Sequence, residues 1–455
     1  MRIDVVRLEN FRCFKRYELR LAKRFNLLIG DNGSGKTAIL DALAVAAGSF
    51  LLGIPVDEVH PGNIEEEDLR RIDFLVGQTV TKEATGDAKI EAEWDATSGV
   101  SPVNELQLAP YICKWIRTRG LGSKTRTTRQ LASAIQRYAS NQAKNASDPT
   151  QSAQTTLPLL GYYGTGRLWH VLKDAKKEAW GPGSRFRGYI ECLNPASDQK
   201  TLFRWFKSNE LAALQKGERR GVLEAVRAAV TAMIPGAERL WWDFDWEELR
   251  LSVKIGEMSQ TIPFHLLSDG YRNMLGMVAD IAFRAAVLNP QFEEKAVQRT
   301  QGIVLVDELD LHLHPKWQRQ VIPLLMDTFP NIQFVATSHS PFIIQSLYGT
   351  TDTLLWDLST SVRLPVESKS IEDIAEDKQG VELPQQYRRY LDMEQAAERY
   401  YALLKKSPGA ATPEKEQLRR ELDRLSRPFS DDPAFQALLK LERLSSGVDS
   451  PAKIS

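Results

Sequence analysis

The chain has 455 residues, enough for two or three hydrophobic cores, and its apolar content is that of an ordinary soluble protein. Lysine plus arginine equals aspartate plus glutamate, 59 of each, so any nucleic acid must bind a local patch rather than a global basic field. The cysteines Cys13, Cys113 and Cys192 lack metal-ligand spacing and fit a reducing compartment. No signal peptide is visible, and no apolar run approaches the roughly 20 residues that span a bilayer. We therefore expect a cytoplasmic protein with no membrane partner.

A phosphate-binding loop lies close to the N-terminus. Gly30-Asp-Asn-Gly-Ser-Gly-Lys-Thr37 follows the apolar run 25–29, which predicts a buried strand, and precedes 38–47, which predicts a helix. In this context the pattern G-x-x-x-x-G-K-[ST] binds nucleotide. Lys36 would reach the β- and γ-phosphates, and the Thr37 hydroxyl would ligate Mg²⁺. The backbone N–H groups that would hold the phosphates belong to Gly30, Asn32, Gly33, Ser34 and Gly35.

Strand and helix patterns then alternate along the chain. The candidate strands are Arg71–Val76, Ala88–Trp94, Leu157–Gly161, Leu240–Trp246 and Leu249–Ile255. Residues 126–156 are polar, first amphipathic and then loop-like from Ser140, which predicts a surface excursion. Residues 170–235 have a largely helical pattern. From Phe264 to Pro341 the order is helix, strand, helix, strand, which predicts a parallel sheet with crossover helices.

Two further strands end in polar residues. The apolar run 302–306 ends in Asp307, which can bind the Mg²⁺ shell, and Glu308, which can act as general base on the attacking water. The apolar run 332–336 ends in Thr-Ser-His, and there His339 can hydrogen-bond a γ-phosphate. A histidine satisfied within the core is the alternative.

A serine-glycine motif lies between the two halves of the site. Leu266-Leu-Ser-Asp-Gly-Tyr-Arg272 precedes a helical pattern, and Ser268 would cap that helix and form an anion site with its free N–H groups. Alone, such a serine is usually only a cap. The order of phosphate loop, Ser-Asp-Gly, Asp-Glu strand and Thr-Ser-His resembles the ABC-type ATPase heads of the SMC, RecF and OLD group.

This resemblance implies an α/β fold, an ABC-type P-loop ATPase head with a mixed and parallel sheet and flanking helices. Residues 1–169 would form lobe I with an N-terminal β-rich part and the P-loop, and 170–240 a helical insertion. Residues 241–358 would form lobe II with signature, Walker B and His switch. Residues 359–455 would form a helical region for a partner or for oligomerisation.

The resemblance also implies ATP hydrolysis with ATP and Mg²⁺ as cofactors. Ser268 and Gly270 of one protomer would complete the ATP site of another, which implies a homodimer and allows a higher oligomer. Arg12 and Asp310 would lie near the nucleotide, although a surface arginine is an open alternative for Arg12. Asp269 departs from the common Leu-Ser-Gly-Gly-Gln signature, which shifts the subfamily rather than the fold. Gln78 is a weak candidate for the glutamine-loop residue.

Three features that other branches of this group have are absent from the sequence. No sustained heptad provides SMC arms, no Toprim domain with clustered carboxylates follows, and no membrane segment accompanies the head. Residues 161–169, 370–380 and 396–404 resemble the ATPase subunit of Septu-type antiphage systems, including retron-linked ones. That resemblance implies a separately encoded HNH nuclease that the ATPase regulates. Core aromatics at a strand end, and a helical domain packing its own apolar face, are the local alternatives.

A basic segment offers the best candidate for DNA binding. Its charges, grouped around Trp115, are Lys114, Arg117, Arg119, Lys124, Arg126 and Arg129. An ordinary solvated loop is the alternative. A RecF-like DNA-repair clamp that binds DNA directly therefore stays open as a second function. A nuclease in its own right is disfavoured, because the sequence offers no second carboxylate or histidine cluster.

Overall fold

The computed structural model divides the chain into two compact units, Met1–Ile374 and Ala375–Ser455. In the first unit it describes residues 1–55, 59–76, 79–95, 112–120, 126–127, 133–166, 184–195, 199–367 and 370–374. In the second unit it describes residues 375–379, 395–397, 399–400, 402–403 and 413–426. Gln78, Lys124, Arg129 and Arg167–Trp169 therefore lie outside the described residues.

The strands of the first unit are numbered here in chain order. They are β1 Val5–Phe11, β2 Phe14–Arg20, β3 Phe25–Ile29, β4 Arg71–Val76, β5 Thr79–Ala84, β6 Ala88–Asp95, β7 Ile112–Arg119, β8 Arg126–Thr127, β9 Leu159–Tyr163, β10 Ala237–Asp243, β11 Glu248–Ile255, β12 Met258–Pro263, β13 Gly302–Val306, β14 Ile332–Thr337, β15 Thr353–Asp357 and β16 Val362–Leu364.

The α-helices of the first unit are α1 Lys36–Gly48, α2 Ser133–Ser147, α3 Gln199–Lys216, α4 Gly221–Met233, α5 Asp269–Leu288, α6 Ala296–Arg299, α7 Pro315–Gln318, α8 Val321–Thr328 and α9 Pro341–Gln345. Helix α10, Ile371–Gln379, crosses the boundary between the units, and a further helix in the second unit spans Pro413–Ser426. Short 3-10 turns lie at Leu51–Gly53, Glu66–Asp68, Arg185–Tyr189, Phe264–Leu266 and Pro290–Lys295.

The central sheet has six strands in the order β16-β15-β3-β14-β13-β9. Strands β15, β3, β14, β13 and β9 run parallel, and β16 pairs antiparallel with β15. Every residue of β3, β9, β13 and β14 is buried, because crossover helices cover both faces of a parallel sheet. The predicted α/β sheet is confirmed. The predicted division at 169, 240 and 358 stays a prediction, although β15 and β16, on either side of 358, pair with each other.

A second sheet, in the order β2-β1-β6-β7-β8, is antiparallel. Strand β7 turns successive side chains to opposite faces, so Trp115 and Arg117 are inside, 0% and 1% exposed. The Trp115 indole donates to the Ala46 carbonyl of α1 at 2.9 Å, and Arg117 donates to the Gly62 carbonyl at 2.9 Å. The prediction that both belong to a solvent-facing basic patch is therefore wrong, because the alternation of the strand places them in the core.

The polar segment after residue 132 also differs from its prediction. Residues 140–147, expected as loop, continue helix α2, which begins at Ser133. Ile135, Ala139, Ala143 and Ala146 form a buried stripe at helical spacing. Three of these four residues are alanines, which are only weakly hydrophobic and stand among serine, asparagine and glutamine, so the sequence shows only a weak helical period.

Candidate nucleotide site

The carboxyl ends of the parallel strands bring the predicted residues to one edge of the sheet. The phosphate loop follows β3, Asp307 and Glu308 follow β13, and the Thr337–His339 turn closes β14. Ligands of open α/β sheets bind at this edge. The fold therefore assembles in space motifs that are some 300 positions apart in the chain.

The phosphate loop has the backbone that its glycines permit. Gly30, Gly33 and Gly35 have φ values of 142°, 85° and 95°, which other residues rarely adopt. A Cβ at Gly35 would lie 2.5 Å from the Phe14 ring, so the turn after β1 packs directly against the loop. Asn32 is exposed at the tip of the loop. The observed loop conformation therefore requires glycine at these positions.

The Lys36 side chain folds back onto the phosphate loop. Its ammonium donates to the carbonyl oxygens of Gly30 and Asp31 at 2.8 Å each. Burial lowers the pKa of Lys36, while the carboxylates of Asp307, Asp31 and Glu308 oppose that shift. The Ser34 hydroxyl is buried and has no hydrogen-bond partner among the residues that the structure describes. A buried cation beside an unpartnered hydroxyl fits an anionic phosphate.

Thr37 and Asp307 meet across the site. The Thr37 hydroxyl donates to Asp307 Oδ2 at 2.9 Å, and the Thr337 hydroxyl donates to Asp307 Oδ1 at 2.6 Å. Hydroxyl and carboxylate oxygens suit Mg²⁺, which takes its remaining ligands from water and substrate phosphates. The residues present therefore fit the predicted Mg²⁺, which Thr37 and Asp307 would hold.

Glu308 is held in an unusual backbone conformation. Its φ is 48°, in the left-handed region, and its N–H donates to the Thr337 hydroxyl at 2.8 Å. A non-glycine residue there costs about 1 kcal/mol or more and is common at functional sites. This conformation turns the chain directly after the buried strand, and the Glu308 residue is only half-buried.

The His339 turn is fastened to the loop that follows Glu308. The Ser338 hydroxyl donates to Asp310 Oδ1 at 2.5 Å, and the Ser340 hydroxyl donates to Gln318 Oε1 at 2.5 Å. Ser338 and Ser340 are buried, whereas His339 between them is exposed. His339 is thus exposed at this edge of the sheet, and Asp310 is held by its hydrogen bond from Ser338.

Ser268 lies at the start of α5 and is exposed. Its hydroxyl accepts a hydrogen bond from the Tyr271 N–H at 3.5 Å, as predicted for a cap. A Cβ at Gly270 would lie 2.4 Å from the His312 carbonyl oxygen, so only glycine lets the helix start approach the loop after Glu308. Gly270 therefore packs against that loop, and Ser268 at the same helix start is exposed.

Arg12 is paired with two carboxylates, although its side chain is 37% exposed. It has a φ of 47°, donates to Asp41 of α1 at 2.5 Å and to Asp68 at 2.7 Å. Asp41 lies one helical turn beyond Thr37, and it also accepts the Tyr162 hydroxyl at 2.7 Å. Arg12 therefore braces the nucleotide helix. Its contact with nucleotide stays a prediction.

The sequence did not predict a fourth functional strand end, that of β15. Asp357 closes β15 beside β3 and is buried; its carboxylate accepts the Ser359 N–H at 2.9 Å and the Thr360 hydroxyl at 2.6 Å. This turn places Ser359 against the phosphate loop at Asp31. The local signal was an aspartate after an apolar run followed by serine and threonine, a pattern typical of an Asx turn.

Family comparisons agree with this geometry. Residues 6–229 match a family model described as an AAA domain. Residues 255–345 match one described as an AAA domain, putative AbiEii toxin, Type IV TA system. The first match contains the phosphate loop, and the second contains Ser268, Asp307 and His339. The chain is an ATPase, and both parts of its candidate nucleotide site lie in regions that match AAA domains.

Curated relatives of this ATPase are named for two systems. A retron Ec83 probable ATPase of Escherichia coli is 24% identical over 423 residues, covering 76% of this chain and 70% of the relative. A Septu protein PtuA of Bacillus mycoides (strain KBAB4) is 30% identical over 190 residues, covering 40% and 25%. Among solved structures, an SmcHead bound to the C-winged helix domain of ScpA has 14% identity and a TM-score of 0.42, covering 80% of this chain and 94% of that chain.

One segment of this ATPase, Lys36–Gly53, has the length and composition of a membrane-spanning helix. It contains the helix of the phosphate loop, and 78% of it is buried inside the protein. Burial against the central sheet accounts for its apolar composition.

Proposed function

We propose that this chain is the cytoplasmic ATPase subunit of an antiphage defence system. Two copies would bind each other through ATP, and the resulting state would regulate a separately encoded nuclease of the HNH class. The retron and Septu names of the relatives support the system, and the partner follows from the resemblance in residues 161–169, 370–380 and 396–404.

One observation supports the proposed dimer. Lys36, Thr37, Asp307 and Glu308 are gathered at the sheet edge, while Ser268 is exposed on the helix start that rests on the His312 loop. A serine cap with free N–H groups binds anions, so it can complete a phosphate site that a second copy presents. In the complex, Mg²⁺ would neutralise phosphate charge, and Glu308 would orient water and accept its proton.

The experiment compares three variants by light scattering with and without MgATP. Glu308→Gln should lose hydrolysis by about 10²-fold or more and remain dimeric with ATP. Lys36→Ala should bind no nucleotide and stay monomeric. Ser268→Arg in the Glu308→Gln background should bind ATP yet stay monomeric, because the arginine side chain is much larger than serine and blocks the shared site. A monomeric Glu308→Gln protein with saturating ATP would refute the proposed ATP-dependent dimer.

The nuclease partner needs a separate test. Co-purification with the product of an adjacent nuclease gene, with and without ATP, should give a complex whose nuclease activity depends on Glu308. A repair operon next to the gene, with direct DNA binding by the ATPase alone, would instead support the RecF-like clamp.

The outer face of the five-stranded sheet disfavours that clamp. Arg7 is paired with Glu18, Glu91 and Glu93, and Lys114 is paired with Glu91 at 2.6 Å. These cations are already neutralised by neighbouring carboxylates, so they offer little charge to DNA phosphates.

A further inference from the structure

Two adjacent tyrosines join three elements of the ATPase. Tyr162 and Tyr163 end β9, which pairs in parallel with the catalytic strand β13 in the register Val306↔Tyr163. The Asp307 N–H donates to the Tyr163 carbonyl at 2.8 Å, so the end of β9 directly supports the Asp307 backbone. β9 is an edge strand of this sheet, and its position relative to helices on either face must be set by side chains.

The two side chains leave the strand on opposite faces, because successive residues of a strand alternate. On one face the Tyr162 hydroxyl donates to Asp41 Oδ1 of the nucleotide helix α1 at 2.7 Å. On the other, the Tyr163 hydroxyl donates to Asp280 Oδ2 of the signature helix α5 at 2.8 Å. Each helix is thereby fixed to the same strand end.

Each carboxylate also has an arginine partner. Asp41 is paired with Arg12, and Asp280 is paired with Arg284, which also donates to the carbonyls of Gly188 and Ile190 at 2.9 Å. Burial is the main cause that raises the pKa of both tyrosine hydroxyls, and the adjacent carboxylates raise it further. They therefore remain protonated donors to charged acceptors, the stronger class of hydrogen bond.

We propose that Tyr162 and Tyr163 are positioning residues with separate tasks in the ATPase reaction. Tyr162 sets the helix that carries Lys36 and Thr37 against the catalytic strand, and so acts on nucleotide affinity. Tyr163 sets the helix that presents Ser268, and so acts on turnover. The second half rests on the proposed role of Ser268, whereas the first half does not.

The test measures two quantities on the full chain. The first is the Kd of a fluorescent ADP with Mg²⁺, which needs no second copy. The second is kcat for ATP at saturating substrate. Tyr162→Phe should raise the ADP Kd about tenfold, as expected when a hydrogen bond to a charged group is lost. Tyr163→Phe should leave the ADP Kd within about twofold and lower kcat about tenfold.

Tyr189→Phe is the matched control. Tyr189 is fully buried, and its hydroxyl donates to the Pro158 carbonyl at 2.8 Å rather than to a carboxylate of α1 or α5. That variant should change neither quantity by more than about twofold, although it too loses a buried tyrosine hydrogen bond. Arg12 and Arg284 remain in the two test variants, so both carboxylates stay paired. If Tyr162→Phe does not fold, Asp41→Asn must raise the ADP Kd in its place.

The outcome is decisive in each direction. A split between Kd and kcat supports separate tasks. Equal losses of both quantities in both variants, or no change, overturn the proposal. A monomeric Glu308→Gln protein together with a raised ADP Kd in Tyr162→Phe would remove the dimer and leave the Tyr162 assignment standing.

Discussion

Ser359 and Asp31 are joined across 328 positions of the chain by two hydrogen bonds. The Asp31 N–H donates to the Ser359 hydroxyl at 2.9 Å, and that hydroxyl contacts Asp31 Oδ2 at 3.3 Å. The turn after β15 thus holds the first half of the phosphate loop, and Phe14 packs against Gly35 in the second half.

Ser359→Ala should therefore weaken nucleotide binding. Losing one hydrogen bond of about 1 kcal/mol from a loop that must be preorganised raises the Kd for ATP about fivefold. Isothermal titration measures the change. Thr360→Ala is the control, because its hydroxyl bonds Asp357 at 2.6 Å and not the loop. Equal losses of affinity in the two variants would contradict a specific role for Ser359.

Glu308 allows its backbone strain to be separated from its chemistry. Both Glu308→Ala and Glu308→Gly should abolish hydrolysis, because both lack the carboxylate. Glycine relieves the left-handed conformation at φ 48°, so the glycine variant should be about 1 kcal/mol more stable than the alanine variant. Urea unfolding compares them. The usual order, with alanine more stable, would show that this conformation is not enforced.

The Asp280–Arg284 pair should be essential for folding. Both side chains are 7% exposed, and removing one partner leaves a buried charge, so Arg284→Ala should cost about 3–5 kcal/mol of unfolding free energy. Arg16→Ala breaks a pair with Glu9 whose side chains are 83% and 39% exposed, and it should cost under about 1 kcal/mol. Similar costs for the two variants, in denaturant titrations, would refute the burial argument.

Thiol labelling should distinguish the cysteines. Cys13 is exposed, whereas Cys113 and Cys192 are buried, and burial raises their pKa to about 11 and about 12. Mass spectrometry of the native protein should therefore find one rapidly alkylated residue. A Cβ at Gly35 would lie 2.7 Å from Cys13 Sγ, so a bulky label there should disturb the phosphate loop and reduce nucleotide binding. Cys13→Ala should bind nucleotide and resist the reagent; an equally sensitive Cys13→Ala protein would exclude this site.

Much of the nucleotide site could be predicted because its parts are local in sequence. The glycine pattern before Lys36 requires the loop conformation that the structure has, and apolar runs ending in Asp307 and His339 place both residues at strand ends. Ser268 is similar, because a cap is a relation between neighbours. The dimer that would use Ser268 stays a proposal.

The residues that sequence reasoning missed act through distant partners. Asp357 and Ser359 reach the phosphate loop only because β15 pairs with β3, and no spacing in the chain records that pairing. Arg117 was expected in a basic patch, since charge alone cannot tell which face of β7 turns inward. Gln78, the weak glutamine-loop candidate, lies outside the described residues.

The amino-acid sequence by itself predicted the phosphate loop at Gly30–Thr37 and the Asp307–Glu308 pair at a strand end, because steric and periodic constraints act over a few residues. Tertiary structure alone decided which groups hold those motifs in place. The pleat of β9 sends Tyr162 to α1 and Tyr163 to α5, and sheet order sets Ser359 beside Asp31. Such contacts depend on how strands and helices meet in three dimensions, which no local pattern encodes.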